Sequence, residues 1–247
     1  MSLKNPDEHI KISIVIPAYN EELTIARCLR SVTEQSLPRD EYEIILVDNN
    51  CTDNTVKIAN TFDNIIIVQE TNPGVGAARA AGWARARGEI IASTDADCQV
   101  PKHWLRKILH RFTVEPHLVA ISGGYLFYDR NFLINILVRI VERCLVALSW
   151  FLAGGVMAMT ANNMAVRQSV YAQTSGIDPN LQYGEDLNLA KKLHAYGSIR
   201  WVFNNRIKTT ARRFQGLNLS VVPYALNFVS MSARNKAFKN HLKTIRK

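Results

Sequence analysis

The sequence predicts an α/β fold, a mostly parallel sheet with helices on both faces. Three observations predict it. Short β-branched runs at Ile12–Ile16, Glu43–Val47, Ile65–Gln69 and Glu89–Thr94 are nearly continuously apolar, as strands covered on both faces are. Segments of helical periodicity separate them. Finally, the runs end in polar residues (Asn20-Glu21, Asp48-Asn49, Asn72, Asp95 and Asp97), and open α/β sheets hold ligands at those carboxyl ends, near a switch in strand order.

In chain order, the first strand is stopped by Pro17, and Glu21–Thr33 places Leu23, Ala26, Leu29 and Val32 at helical spacing. The second strand ends in the turn-rich run Asp48-Asn-Asn-Cys-Thr-Asp53, with Asp53 capping a helix over Asn54–Phe62. Asn72-Pro-Gly leads into an Ala- and Arg-rich helix, Gly76–Ala86. Trp104–Glu115 predicts a helix, Val119–Tyr128 one or two strands broken at Gly123-Gly124, Glu185–Tyr196 a helix and Val202–Thr209 a strand. Residues 217–247 read as helical with a basic end.

Residues 131–153 are an apolar helical stretch interrupted by Arg139, Glu142 and Arg143. On a helical wheel Asn135, Arg139, Glu142, Arg143 and Ser149 gather within about a third of the circumference, leaving a wide apolar face. Residues 144–166 carry no charge, but Gly154-Gly155 and Thr160-Ala-Asn-Asn163 interrupt them, which argues against a membrane span. Two readings stay open, a core helix and a helix lying in a membrane interface.

A chain of 247 residues, 47% of them apolar, can build its core without disulfide or metal staples. Cys28, Cys51, Cys98 and Cys144 form no CxxC pair, and MSLKNPDEHIK has no apolar signal segment; a reducing, cytoplasmic setting is expected. The net charge of +9 taken alone points to nucleic acid or an anionic membrane. Its distribution says more. No carboxylate follows Asp186, whereas the 61 residues after it carry 13 Lys/Arg, and the preceding 186 hold 17 basic against 21 acidic groups. No recognised nucleic-acid module accompanies the basic residues, so nucleic acid is not the expected partner.

Three acidic clusters carry chemistry. Asp95-Ala-Asp97 follows a strand, where two carboxylates can share a hard cation, Mg²⁺ or Mn²⁺, with substrate phosphates; alternatively it is a solvated turn before Pro101. Asp48 can accept hydrogen bonds from a base or ribose, or merely close an Asx turn. Asn72-Pro-Gly-Val-Gly-Ala-Ala-Arg79 feeds a helix N-terminus, and Arg79 can face a diphosphate. Neither GxGxxG nor a P-loop is present. Glu185-Asp186 opens an amphipathic helix, as dipole partners or as a general base.

Val15-Ile-Pro-Ala-Tyr-Asn-Glu21, Val47-Asp-Asn-Asn-Cys-Thr-Asp-Asn-Thr55, Asn72–Arg79, Asp95-Ala-Asp97 and Gly184-Glu-Asp-Leu-Asn-Leu189 occur in order. Together they resemble the family 2 glycosyltransferases, over about residues 10–215. The resemblance implies a GT-A fold, a Rossmann-like sheet with an acceptor-side extension, and sugar transfer with inversion. It implies a tail over 1–10, a domain over 11–215 divided near residue 100 into nucleotide and acceptor halves, and a basic segment over 216–247. Pro17, Ala18, Tyr19, Glu21, Asp48, Arg79 and Asp95 would bind the nucleotide, which is expected to be a UDP-sugar. Asp97, with Asp95, would hold the metal. Asp186 would be the base with Glu185 beside it, Asn162 and Asn163 would line the donor sugar or acceptor, and Arg212 and Arg213 would face the diphosphate. Cys51 stands where the family often has Ser or Gly, and the QxxRW pattern of processive synthases is absent. The apolar stretch and basic end point to a lipid-linked or membrane-proximal acceptor and peripheral association with an anionic membrane. Rival readings are a sugar nucleotidyltransferase, which lacks here its Gly-rich basic loop after the first strand, and a catalytically silent membrane-associated nucleotide-sugar-binding protein.

Overall fold

The computed structural model of the protein describes residues 10–181 and 184–212. The expected tail before Ile10, Arg213 and the basic segment 216–247 lie outside the described residues. The elements run β1 (Ile12–Ala18), α1 (Ile25–Thr33), β2 (Tyr42–Asp48), α2 (Thr55–Ala59), β3 (Ile65–Gln69), α3 (Val75–Arg85), β4 (Ile90–Ser93) and α4 (Trp104–Val114). Then follow β5 (Leu118–Ser122), β6 (Tyr125–Phe127), α5 (Phe132–Leu152), β7 (Met164–Arg167), α6 (Gln168–Tyr171), α7 (Glu185–His194), β8 (Ser198–Trp201) and β9 (Ile207–Thr209).

Seven strands form one sheet in the order β3-β2-β1-β4-β7-β5-β8, with β7 antiparallel to both neighbours and the other pairs parallel. β6 and β9 pair as a separate parallel ribbon. Strand alternation divides the core. Ile12, Ile14 and Ile16 pack with Leu29, Val32, Trp104 and Ile108 on one face; Val15, Ile45 and Val47 pack with Ala78, Trp83, Leu189 and Leu193 on the other. Helices α1, α2 and α4 thus cover one side and α3 and α7 the other, as the apolar runs predict.

Four expectations need correction. Pro17 does not stop β1: it pairs with Val47, and Ala18 with Asp48. Val15 and Pro17 direct their polar groups to the β4 side, where Val15 accepts from Thr94 N–H and the β4 ladder has already ended at Ser93, so the missing N–H of Pro17 costs no ladder bond. Helix α1 starts at Ile25 instead of Glu21, because Thr24 and Ile25 N–H close a turn onto the Glu21 carbonyl, leaving Leu23 exposed. The strand expected over Val202–Thr209 is reduced to β9 at its end, which lies outside the main sheet, while β8 comes just before it. The core-helix reading of 131–153 fails, since α5 buries only Ser149. One central strand, β7, was not expected at all.

Candidate active site

The carboxyl ends of β1, β2 and β4 form one mouth. Ala18 is buried at the end of β1, and Tyr19, Glu21 and Asp48 are half-buried around it. Asn20 and Asn50 turn the chain through positive φ (52° and 65°), which asparagine tolerates. The two loops are stitched together: Asn20 Oδ1 accepts from Thr52 N–H at 2.8 Å, Glu21 N–H donates to Thr55 Oγ1 at 2.7 Å, and Glu22 N–H to Asp53 Oδ2 at 3.0 Å. Asp48 Oδ1 accepts from Cys51 N–H three residues on, at 2.8 Å, where the expected Asx turn would reach only two, and the carboxylate stays at the mouth. Burial pushes the Cys51 thiol up to about 12, so it stays protonated.

Arg79 joins the acidic clusters. It is 2% exposed on α3, and its guanidinium reaches Asp95 beyond β4 and Glu185 on α7, the latter at 2.5 Å. Arg79 and Glu185, 106 positions apart in sequence, thus meet at a cation that Asp95 shares. Gly76, one turn before Arg79, makes this approach possible: a Cβ there would lie 2.4 Å from the Leu181 carbonyl oxygen, so only glycine lets the chain leading to α7 cross α3 so closely. Asp97 is also buried, accepting from Thr209 Oγ1 at 3.2 Å and pairing with Arg212 at 3.2 Å; Arg212 also pairs with Glu21. The β6–β9 ribbon thus closes the mouth over the Asp95-Ala-Asp97 turn.

Asp186 lies beside Glu185 at the start of α7, where Ala161 N–H donates to its Oδ2 at 3.1 Å and Leu187 N–H to its Oδ1 at 2.8 Å. Burial pushes the proton affinity of Asp186 above the usual aspartate range, against those hydrogen bonds and Arg79. Glu185 is raised to about 7, by burial first, with Asp186 adding to it and Arg79 opposing. The two candidate asparagines differ. Asn162 Oδ1 is shielded from solvent without a hydrogen-bond partner. Asn163 is committed to the scaffold: it accepts from Trp104 Nε1 at 2.9 Å and donates to the carbonyls of Gly124 and Asn205. The structure thus gathers Glu21, Arg79, Asp95, Asp97, Glu185, Asp186 and Arg212 through direct or shared contacts, and holds Asn163 apart in a buried knot. Thr209 and the Ala161 amide were missed, having no local motif to signal them.

Among the described residues no group of three or more His, Cys, Asp or Glu could enclose a metal ion. The donor set at Asp95 and Asp97, two hard carboxylates beyond the end of β4, is of the type that fits a divalent cation taking its other ligands from phosphate and water. It does not make a protein-only cage.

Residues 13–171 match the family model described as Glycosyl transferase family 2. The chain belongs to that family. Among curated relatives it is 39% identical over 118 residues to "Glycosyltransferase AglE" of Haloferax volcanii, covering 46% of this chain and 38% of that protein. It is 37% identical over 106 residues to "Undecaprenyl-phosphate 4-deoxy-4-formamido-L-arabinose transferase" of Proteus mirabilis, covering 40% and 32%. The chain therefore spans well under half the length of these relatives. Its fold is that of solved GT-A glycosyltransferases. Mannosyltransferase PcManGT from Pyrobaculum calidifontis, in complex with GDP-Man and Mn²⁺, superposes with a TM-score of 0.70 at 21% identity, covering 91% of this chain and 64% of the other. S. aureus TarS 1–349 in complex with UDP gives 0.66 at 18%, covering 90% and 65%.

Proposed function

We propose that this chain transfers a sugar from a UDP-sugar to an acceptor hydroxyl with inversion at the anomeric carbon. The observation that carries the reading is Arg79, which draws the Asp95-Ala-Asp97 turn and the Glu185-Asp186 pair into one mouth at the strand ends. Family membership and the structural neighbours' nucleotide and nucleotide-sugar ligands support it.

In this reading Pro17, Ala18, Tyr19, Glu21 and Asp48 cradle the nucleotide, with Asp48 accepting from the base. Asp186 removes the proton of the acceptor hydroxyl. The oxygen attacks the anomeric carbon from the face opposite the diphosphate, the bond to the phosphate oxygen breaks, and nucleoside diphosphate departs with the electron pair. Arg79 acts through Asp95 and Glu185, orienting both without touching the diphosphate itself. Asn162 lies on the segment that would line the donor sugar or acceptor. Asp97 and Asp95 would hold Mg²⁺ or Mn²⁺, which supplies Lewis-acid stabilisation of the leaving diphosphate. Arg212 lies against Asp97 and Glu21 and adds positive charge there, with Arg213 beside it in sequence. The acceptor is read as lipid-linked, in line with the undecaprenyl-phosphate named for the Proteus relative.

The test is Asp186→Asn with UDP-sugars, Mn²⁺ and an acceptor panel. Transfer should fall by about 10²–10⁴-fold, the usual range for a lost general base, while UDP binding stays within about twofold. In the wild type, kcat/KM should fall on the acid side with a midpoint above the ordinary aspartate range, because burial raises Asp186. Near-normal turnover of Asp186→Asn would reject the base assignment.

A further inference from the structure

Helix α5 is turned inside out. At about 100° per residue, Asn135, Val138, Glu142, Val146 and Ser149 fall on one side, and with Leu152 at the end these are its buried or half-buried positions. That side is held by polar bonds. Asn135 exchanges hydrogen bonds with the Phe127 backbone (2.8 and 3.0 Å), and Glu142 accepts from Trp201 Nε1 and Arg206, both at 2.8 Å. Gly124 lets it approach: a Cβ there would lie 2.1 Å from the Glu142 carboxylate. The opposite side presents Leu133 (72% exposed), Leu137 (59%), Ile140 (55%) and Phe151 (77%) to the outside. An ordinary surface helix shows the reverse arrangement.

The helix cannot be a span. No helix among the described residues is long and apolar enough to cross a membrane, and three charges stand near the middle of α5. Arg139 and Arg143 are exposed along one border of the apolar arc, with Arg130 just before the helix. Between residues 130 and 177 the sole acidic residue is Glu142, which faces inward onto Arg206. The outward surface is thus apolar with a positive border at Arg139 and Arg143, while Asp129, beside Arg130, is engaged by Thr210 and Ala211. A second copy fits poorly, because antiparallel pairing about the helix midpoint would bring the arginines of both copies together. A negatively charged headgroup layer over acyl chains complements both features, with arginine stems snorkelling to the headgroups.

We infer that α5 is a docking surface for an anionic lipid bilayer, lying flat in its interface with the Leu133–Ile140–Phe151 side at the acyl boundary. At about 1.5 Å per residue the helix offers roughly 30 Å of contact. Both of its ends lead to the mouth. Before it, Asp129 accepts from Thr210 Oγ1 and Ala211 N–H, next to the Thr209 that holds Asp97; after it, Ala161 N–H holds Asp186. Docking would set the mouth beside the membrane surface, where a lipid-borne acceptor hydroxyl would meet Asp186, a consequence that rests on the transfer reading above.

The test is cosedimentation of the full chain with vesicles of phosphatidylcholine, with and without phosphatidylglycerol. Wild type should bind the phosphatidylglycerol vesicles, and added salt should weaken binding. The double variant Leu137→Glu/Ile140→Glu should lower binding by at least about tenfold, and Arg139→Gln/Arg143→Gln by about fivefold per arginine on anionic vesicles only. Circular-dichroism melts and UDP-sugar hydrolysis with Mn²⁺ should stay at wild-type values in both variants. Absence of vesicle binding by the wild type would overturn the inference, as would undiminished binding by Leu137→Glu/Ile140→Glu. So would sedimentation equilibrium showing a dimer that this variant dissociates without loss of vesicle binding. Vesicle binding with no sugar transfer to any acceptor would sink the transfer reading and leave the docking surface standing.

Discussion

Glu43 and Glu185 are buried alike, 4% and 5% exposed, and each faces an arginine, yet their proton affinities part. Glu43 sits near the start of β2, at the closed end of the sheet. Burial alone would raise it, but Ser13 Oγ donates to it at 2.6 Å, Arg87 N–H at 2.8 Å, and the Arg87 guanidinium at 2.8 and 3.0 Å, and together they hold it below the ordinary glutamate range. Glu185 sits at the open end. Its arginine is shared with Asp95, Asp186 stands next to it, and burial wins, raising it from 4.5 to about 7. The difference is the number of donors per negative charge. At the closed end one carboxylate is saturated; at the mouth two carboxylates divide one guanidinium, with Asp186 beside them. Under-compensated carboxylates are where a cation or an exchanging proton finds use, and such groups concentrate at functional sites.

The largest expected effect separates the two arginines. Arg79→Met would leave Asp95, Glu185 and Asp186 with no buried cation, and breaking a buried pair from one side costs about 3–5 kcal/mol. Arg87→Met removes a guanidinium that is mostly exposed (59%), and Glu43 keeps Ser13 and the backbone N–H; about 1 kcal/mol is expected. Urea unfolding of both variants measures the gap, and equal losses would remove the distinction. Arg79→Lys should recover less than half, because a single ammonium does not fork to two carboxylates as the guanidinium does.

Next in size is pH dependence, where the two glutamates should pull in opposite directions. A group held low stabilises the fold above its unfolded value, and the contribution disappears as pH falls through the folded value; that is Glu43. A group raised by folding contributes most below its unfolded value and loses that contribution as pH climbs through the folded one; that is Glu185, between 4.5 and about 7. Glu43→Gln should therefore flatten the acid-side fall of Tm below about pH 4.5. Glu185→Gln should flatten the decline between pH 4.5 and about 7. In a chain of this size each kcal/mol moves Tm by about 3 °C, within reach of calorimetry. Slopes of the same sign would contradict the assignment.

The two ends also differ in what the sequence disclosed. The mouth was legible because its residues cluster at strand ends: Asp48, Asp95 and Asp97 each follow an apolar run, and Glu185-Asp186 opens an amphipathic helix. The partners were not. Nothing near Arg79 says that it faces two carboxylates, since that pairing depends on the chain leading to α7 crossing α3 at Gly76. The first-half strands were read within a residue or two because β-branched apolar runs need no tertiary context, whereas Pro17 misled by obeying a local rule that the end of the β4 ladder suspends. In the second half β7 was hidden, because Met164–Arg167 is four residues long and lies between Asn-rich and polar segments. Helix α5 was legible in length but not in orientation, for a wheel shows which face is polar and not which face touches the protein.

The smallest effect tests whether donor number alone accounts for the difference. Ser13 on β1 and Ser93 on β4 are both buried hydroxyls beside the arginine–carboxylate pairs. Ser13 Oγ donates to Glu43 at 2.6 Å and accepts from Gly88 N–H at 2.8 Å, so Ser13→Ala removes a charge-assisted bond and leaves a buried N–H unpaired. About 1.5–3 kcal/mol is expected. Ser93 Oγ accepts from Arg79 Nε at 3.4 Å, too long to hold the guanidinium, which Asp95 and Glu185 already position. Ser93→Ala should cost less than about 0.5 kcal/mol and leave the acid limb of kcat/KM where it is. If Ser93→Ala instead destabilises as much as Ser13→Ala, the mouth is as tightly satisfied as the closed end. Its raised carboxylates would then need a cause other than scarce donors.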